Sequence, residues 1–97
     1  MNELKTDKGV IKYRNPNAME CFDIISCIFD EEGKVREHMQ IKKKIAQFAC
    51  DNLMDISGTE YKDKEEMIGD IEMHKPISSI ADDIYLKFND AYMKKKE

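Results

Sequence analysis

Pro76-Ile77-Ser78-Ser79-Ile80-Ala81-Asp82-Asp83-Ile84-Tyr85-Leu86-Lys87-Phe88-Asn89-Asp90-Ala91-Tyr92 is the most regular stretch of this chain. Ile77, Ile80, Ala81, Ile84, Tyr85, Phe88 and Tyr92 recur at the three- and four-residue steps of one helical face. The spacing predicts a helix of about 25 Å, burying Ile77, Ile80, Ala81, Ile84 and Phe88. Asp82 and Asp83 near its start, and Lys94-Lys95-Lys96 at its end, suit the two poles of the helix dipole.

Upstream, Lys75-Pro76 breaks the chain. Asp63 and Glu66 resemble a capping pair that opens a short helix carrying Met67, Ile68 and Ile71. A longer helix is expected from about Val35 to Met54, with Val35, Met39, Ile41, Ile45, Phe48, Ala49 and Leu53 on its buried side. Lys42-Lys43-Lys44 interrupts that pattern and reads as a solvated face. Ser57-Gly58 closes the segment. A further helix should start at Asn15-Pro16, with Asn15 as cap and Pro16 in the first helical position. Ala18, Phe22, Ile25, Ile28 and Phe29 form its apolar stripe, and the acidic cluster Asp30-Glu31-Glu32 places its stop near Phe29.

The opening is read differently. Residues 1–8 look like a flexible tail, and Gly9 to Arg14 like one short strand with Ile11 and Tyr13 on the same face. A lone strand needs a partner, and this chain offers only weak ones. Val10, Ile11 and Tyr13 are therefore candidate protein-binding residues, acting by strand pairing with another protein. The expected fold is mainly α: a small helical domain of about four helices with a short N-terminal extended strand. It would form a single domain over 1–97, with a flexible N-terminal tail at 1–8 and a basic C-terminal tail at 93–97.

At 97 residues the chain is one domain with one modest core. Hydrophobic residues at 41% against 37% charged indicate a globular chain rather than a disordered one. The net charge of −4 repels phosphate backbones, so no nucleic-acid partner is expected. No apolar run approaches the roughly 20 residues of a membrane span, so no membrane partner is expected either. The polar opening lacks the apolar core of a signal peptide, which points to a cytoplasmic protein. Cys21, Cys27 and Cys50 are odd in number and two of them sit inside apolar helical patterns, as small buried, reduced thiols do. Seven methionines suit a loose core or an adaptable contact surface.

Signatures of chemistry are missing. The chain has no phosphate-binding glycine loop, no nucleophile elbow and no H-E-x-x-H. Cys21 and Cys27 are six residues apart, outside the usual spacing of zinc ligand pairs, and neither His38 nor His74 has a second histidine at metal spacing. Asp82 and Asp83 are adjacent and diverge by about 100° on a helix, so they are not an acid–base pair. No catalytic residue, cofactor or metal is expected. A helix-turn-helix DNA binder is the main rival: Lys42, Lys43, Lys44, Lys62, Lys64 and the terminal lysines could meet phosphates. Glu65, Glu66, Asp70 and Glu72 would repel them.

The order of these parts resembles the tail assembly chaperones of long-tailed bacteriophages. The residues that carry the resemblance are the turn Tyr13-Arg14-Asn15-Pro16 and the helix with Ala18, Met19, Glu20 and Phe22. With them go Asp51-Asn52-Leu53-Met54-Asp55-Ile56, Tyr61-Lys62-Asp63-Lys64-Glu65-Glu66-Met67, and a last helix that begins at Pro76-Ile77 and ends near Phe88. The resemblance implies a mostly helical, non-catalytic adaptor of the host cytoplasm. Such an adaptor would shield the tape measure protein and recruit the tail tube protein. Self-association is left open. The resemblance also implies a ribosomal slippage point at Lys94-Lys95-Lys96-Glu97, where lysine codons would supply a run of adenines. The alternative reading is a small phage-encoded regulatory or inhibitory protein, either a DNA binder or an inhibitor of a host nucleoprotein.

Overall fold

The computed structural model describes the backbone of residues 1–94 and the side chains of residues 1–90. Among them are three strands, β1 (Asn2–Thr6), β2 (Gly9–Tyr13) and β3 (Met54–Asp55). There are four helices, α1 (Ala18–Ile28), α2 (His38–Asn52), α3 (Lys64–Gly69) and α4 (His74–Lys94), with one 3₁₀ turn at Ile71–Met73. The basic end at 93–97, and the slippage reading tied to it, lie outside the described residues apart from the backbone of 93 and 94.

The expectation of a mainly α domain with one extended strand is corrected. The strands form an antiparallel sheet in the order β1-β2-β3. Residues 2–6, read as a flexible tail, pair with β2 along its whole length, from Asn2↔Tyr13 to Thr6↔Gly9. The hairpin closes over Asp7-Lys8, where the Thr6 hydroxyl donates to the Gly9 carbonyl at 2.8 Å and accepts from the Lys8 N–H at 3.2 Å. Along β1 half-buried Asn2, Leu4 and Thr6 alternate with exposed Glu3 and Lys5. Only Leu4 is apolar, so the period of two is nearly silent in composition.

The second edge of β2 is taken by residues 54–60. Lys12 and Tyr13 pair with Asp55 and Met54, and the Val10 N–H donates to the Gly58 carbonyl at 3.0 Å. Two glycines allow this approach. A Cβ on Gly9, whose φ is +124°, would stand 2.3 Å from the Gly58 oxygen. One on Gly58 would stand 2.9 Å from the Val10 oxygen. Only glycine takes that φ without strain.

The sheet contributes Ile11 and Tyr13 to the core, α1 contributes Ile24, and α2 contributes Ile41, Ile45, Ala49 and Cys50. α4 contributes Ile80, Ala81, Ile84 and Phe88 as its period predicts, with Ile77 half-buried. Each large side chain fully buried here stabilises by roughly 1.5–3 kcal/mol. The helix bounds shift from expectation. Asn17, not Asn15, caps α1, and α4 starts two residues before Pro76, which its first turn tolerates. Apolar residues expected on buried faces lie outside: Phe22 (64% exposed) and Phe29 at α1, Val35 (66%) and Met39 (68%) at α2, and Ile68 and Ile71 (87%) at and after α3. Val35 precedes α2 and pairs with Phe29 in an isolated bridge. Ile71 belongs to the 3₁₀ turn, so it loses the phase of α3.

Candidate functional site

The site begins with how α1 is held. Asn17 and Glu20 form a reciprocal capping box: the Asn17 side chain accepts from the Glu20 N–H at 2.9 Å, and the Glu20 carboxylate accepts from the Asn17 N–H at 3.0 Å. Arg14 grips the same carboxylate with both ends of its fork, at 2.6 and 2.8 Å, and donates to the Asn52 carbonyl at 3.3 Å. The Arg14 hydrogen bonds, and after them the Asn17 N–H, pull the Glu20 carboxyl down to about 2. One arginine thus ties the end of β2, the start of α1 and the end of α2 together.

So anchored, α1 shows more apolar surface than the fold uses. Eight of its eleven residues, AMECFDIISCI, are apolar. At 100° per residue, Ile24, Ile28, Cys21, Ile25, Ala18, Phe22 and Met19 cover roughly 220° of the helix, with only Ser26 among them. The core takes one end of that arc: Ile24 is buried, and Cys21, Ile25 and Ile28 pack against it half-buried. The other end faces outward, with Met19 73% and Phe22 64% exposed, and it runs on to Phe29 and Val35 at the foot of the helix. A helix apolar over so wide an arc is normally covered on both sides.

A second apolar surface lies across α2. Met39, Ala46 and Cys50 make one wall of an open groove of about 860 Å³, and Ile68, Ile71 and Ile77 make the other. Lys42, Lys43, Asp70 and His74 stand at its rim. Lys44, whose charge reaches Cys27 of α1, sits roughly opposite the Met39–Ala46 row on the helical wheel. The groove and the outer face of α1 are therefore on different sides of α2.

Two of the three thiols are poor nucleophiles. Burial is the main cause that raises the Cys50 thiol to about 11, with Asp51 adding to it; burial also raises Cys27. Both are protonated near neutrality, a poor state for a nucleophile or a metal ligand. Among the described residues no three His, Cys, Asp or Glu side chains gather as a metal site, and no helix is long and apolar enough to cross a membrane. Of the lysines considered for phosphate contact, Lys42 pairs with Asp82 at 3.2 Å and Lys64 donates to the Asp51 carbonyl at 3.1 Å.

Val10, Ile11 and Tyr13 lie in the central strand of the sheet. Ile11 and Tyr13 are buried, and the Tyr13 hydroxyl donates to Asp83 of α4 at 3.0 Å. The strand-pairing expectation is corrected: both edges of β2 are filled from within the chain. The surfaces that do stand open, at Met19–Phe22 and at Met39–Ile71, fell on helices read only for their buried stripes. The composition of α1 already carried that signal; Ile71 gave none, because its exposure depends on a 3₁₀ turn. No family model, curated protein or solved structure matches this chain.

Proposed function

We propose that this chain is a non-catalytic adaptor that binds other proteins through apolar helical surfaces. The observation that carries the reading is the apolar breadth of α1, about twice what the core occupies, on a helix locked in place by Arg14, Glu20 and Asn17. Rigid, exposed aliphatic and aromatic groups bind a partner at little conformational cost. The Cys27 and Cys50 thiols, held protonated by burial, are poor nucleophiles and fit a binding role.

The finer reading is a tail assembly chaperone of a long-tailed phage, which would shield the tape measure protein and recruit tail tube protein. Its support is the resemblance over Tyr13 to Phe88, together with a surface suited to covering apolar stretches of another chain. Co-expression with the product of the long reading frame downstream of its gene is the test. A soluble complex that Phe22→Asp abolishes is expected, with the melting curve of the free variant unchanged. No complex would sink the tape measure reading. A complex indifferent to Phe22→Asp would remove α1 as its surface.

A further inference from the structure

We propose that the outer edge of β1 is a self-recognition site, where two copies of this chain pair their β1 strands antiparallel about a two-fold axis at Leu4. The site is independent of the adaptor reading: it involves neither the outer face of α1 nor the groove.

The ladder fixes which backbone groups are open. β1 is an outer strand of the sheet. The N–H groups of Val10 and Arg14 donate away from it, to the Gly58 and Leu53 carbonyls at 3.0 and 3.2 Å. Successive residues of an antiparallel ladder alternate sides, so Gly9, Ile11 and Tyr13 turn their backbone groups towards β1. Their partners Thr6, Leu4 and Asn2 turn theirs towards β2. The N–H and C=O groups of Glu3 and Lys5 therefore point outward, and no described residue beyond the hairpin bonds them. Such an edge is a template for a further strand.

Side chains choose the occupant. Glu3 and Lys5 are exposed on one face of β1, while Leu4 between them packs against the core. Neither charge forms an ion pair among the described residues. Paired about Leu4, Glu3 of each copy faces Lys5 of the other. Both of these residues point outward, so each pair exchanges both of its backbone hydrogen bonds. Leu4 faces Leu4 in the closer, non-hydrogen-bonded position and carries the apolar side of the sheet across the axis. The new lysine also continues a row of alternating charge, Asp55, Lys12 and Glu3, that already crosses the sheet. Other registers fail. A slip of one residue sets outward groups against inward ones, and a slip of two puts Glu3 opposite Glu3 or Lys5 opposite Lys5. A lysine on an outer strand guards it against pairing. Here Glu3 lifts that guard for an identical strand, which answers both charges at once.

One short strand pair is a small interface of the weak, transient kind, so the test is NMR of the full chain from about 50 μM to about 1 mM. The amide signals of Glu3 and Lys5 should move with concentration. A mixture of isotope-labelled and unlabelled chain should give a cross-peak between the Leu4 Hα protons of the two copies, which this register brings together. Lys5→Glu and Glu3→Lys should each raise the dissociation constant at least about fivefold, because like charges then meet on both sides of the axis. Mixed with each other, the two variants should regain the wild-type affinity, since one edge is then wholly acidic and the other wholly basic. Both side chains are exposed, so neither variant threatens folding. Unchanged spectra across the range, association that neither variant weakens, or no recovery on mixing would each overturn the proposal. Shifts confined to Met19 and Phe22, or to the groove, would overturn it in favour of another face.

Discussion

α4 and α1 are both amphipathic, and they spend their apolar residues differently. α4 places Ile80, Ala81, Ile84 and Phe88 on one narrow stripe, all buried. α1 is shorter, more apolar, and buries only Ile24 completely. Periodicity therefore reports how many directions a helix is apolar in, while the width of the arc reports how many surfaces it serves. A stripe of about 100° is a core contact; an arc twice that wide is a core contact plus something else.

The sharpest way to break this contrast is to charge one residue of each helix. Ile84→Asp should cost more than about 3 kcal/mol, since it leaves an unpaired charge in the core. Phe22→Asp should stay within about 0.5 kcal/mol of wild type. Urea melts of the two variants decide it: comparable losses would mean that the outer face of α1 belongs to the core after all. An intermediate effect is expected from Asn17→Ala, about 1 kcal/mol, because it removes the cap that fixes α1. No loss would mean that Arg14 and Glu20 suffice.

pH should separate the two helices with smaller effects still. The tether of α4 to the sheet is Tyr13 to Asp83. Burial first, then the Asp83 hydrogen bond, raises Tyr13 to about 12, and Tyr61 is raised similarly. A raised pKa gives stability that is whole below the ordinary tyrosine value of about 10 and is lost as pH climbs towards 12. The tether of α1 is Glu20, lowered from 4.5 to about 2. A lowered pKa gives stability that is present above 4.5 and lost as pH falls towards 2. Hydrogen exchange should then show α1 amides opening first in acid and α4 amides opening first in alkali. The reverse order would contradict these tethers.

The helices were legible because their signals are local. The Asp63 cap, the stop at Phe29 and the stripe of α4 depend on residues within a few turns of one another. The sheet was not legible, because what makes residues 2–6 a strand is the partner they meet. Asn2-Glu3-Leu4-Lys5-Thr6 has one apolar residue, and its pairing is licensed by a two-residue turn before Gly9. β3 is two residues long and pairs with a strand about forty residues earlier in the chain. The groove was hidden for the same reason. Cys50 and Ile77 share it, and nothing local to either shows that they meet.

The crossing of residues 54–60 over the start of the hairpin has a consequence for synthesis. β2 emerges from the ribosome long before the segment that covers its second edge. At typical elongation rates, roughly 2 to 9 s separate the two. During that interval Val10 to Tyr13 present an unpaired strand edge next to the apolar side chains of Ile11 and Tyr13. The second edge of β2 therefore stays open until the segment through Gly58 has emerged, and the close approach of Gly9 and Gly58 belongs to the step that seals it.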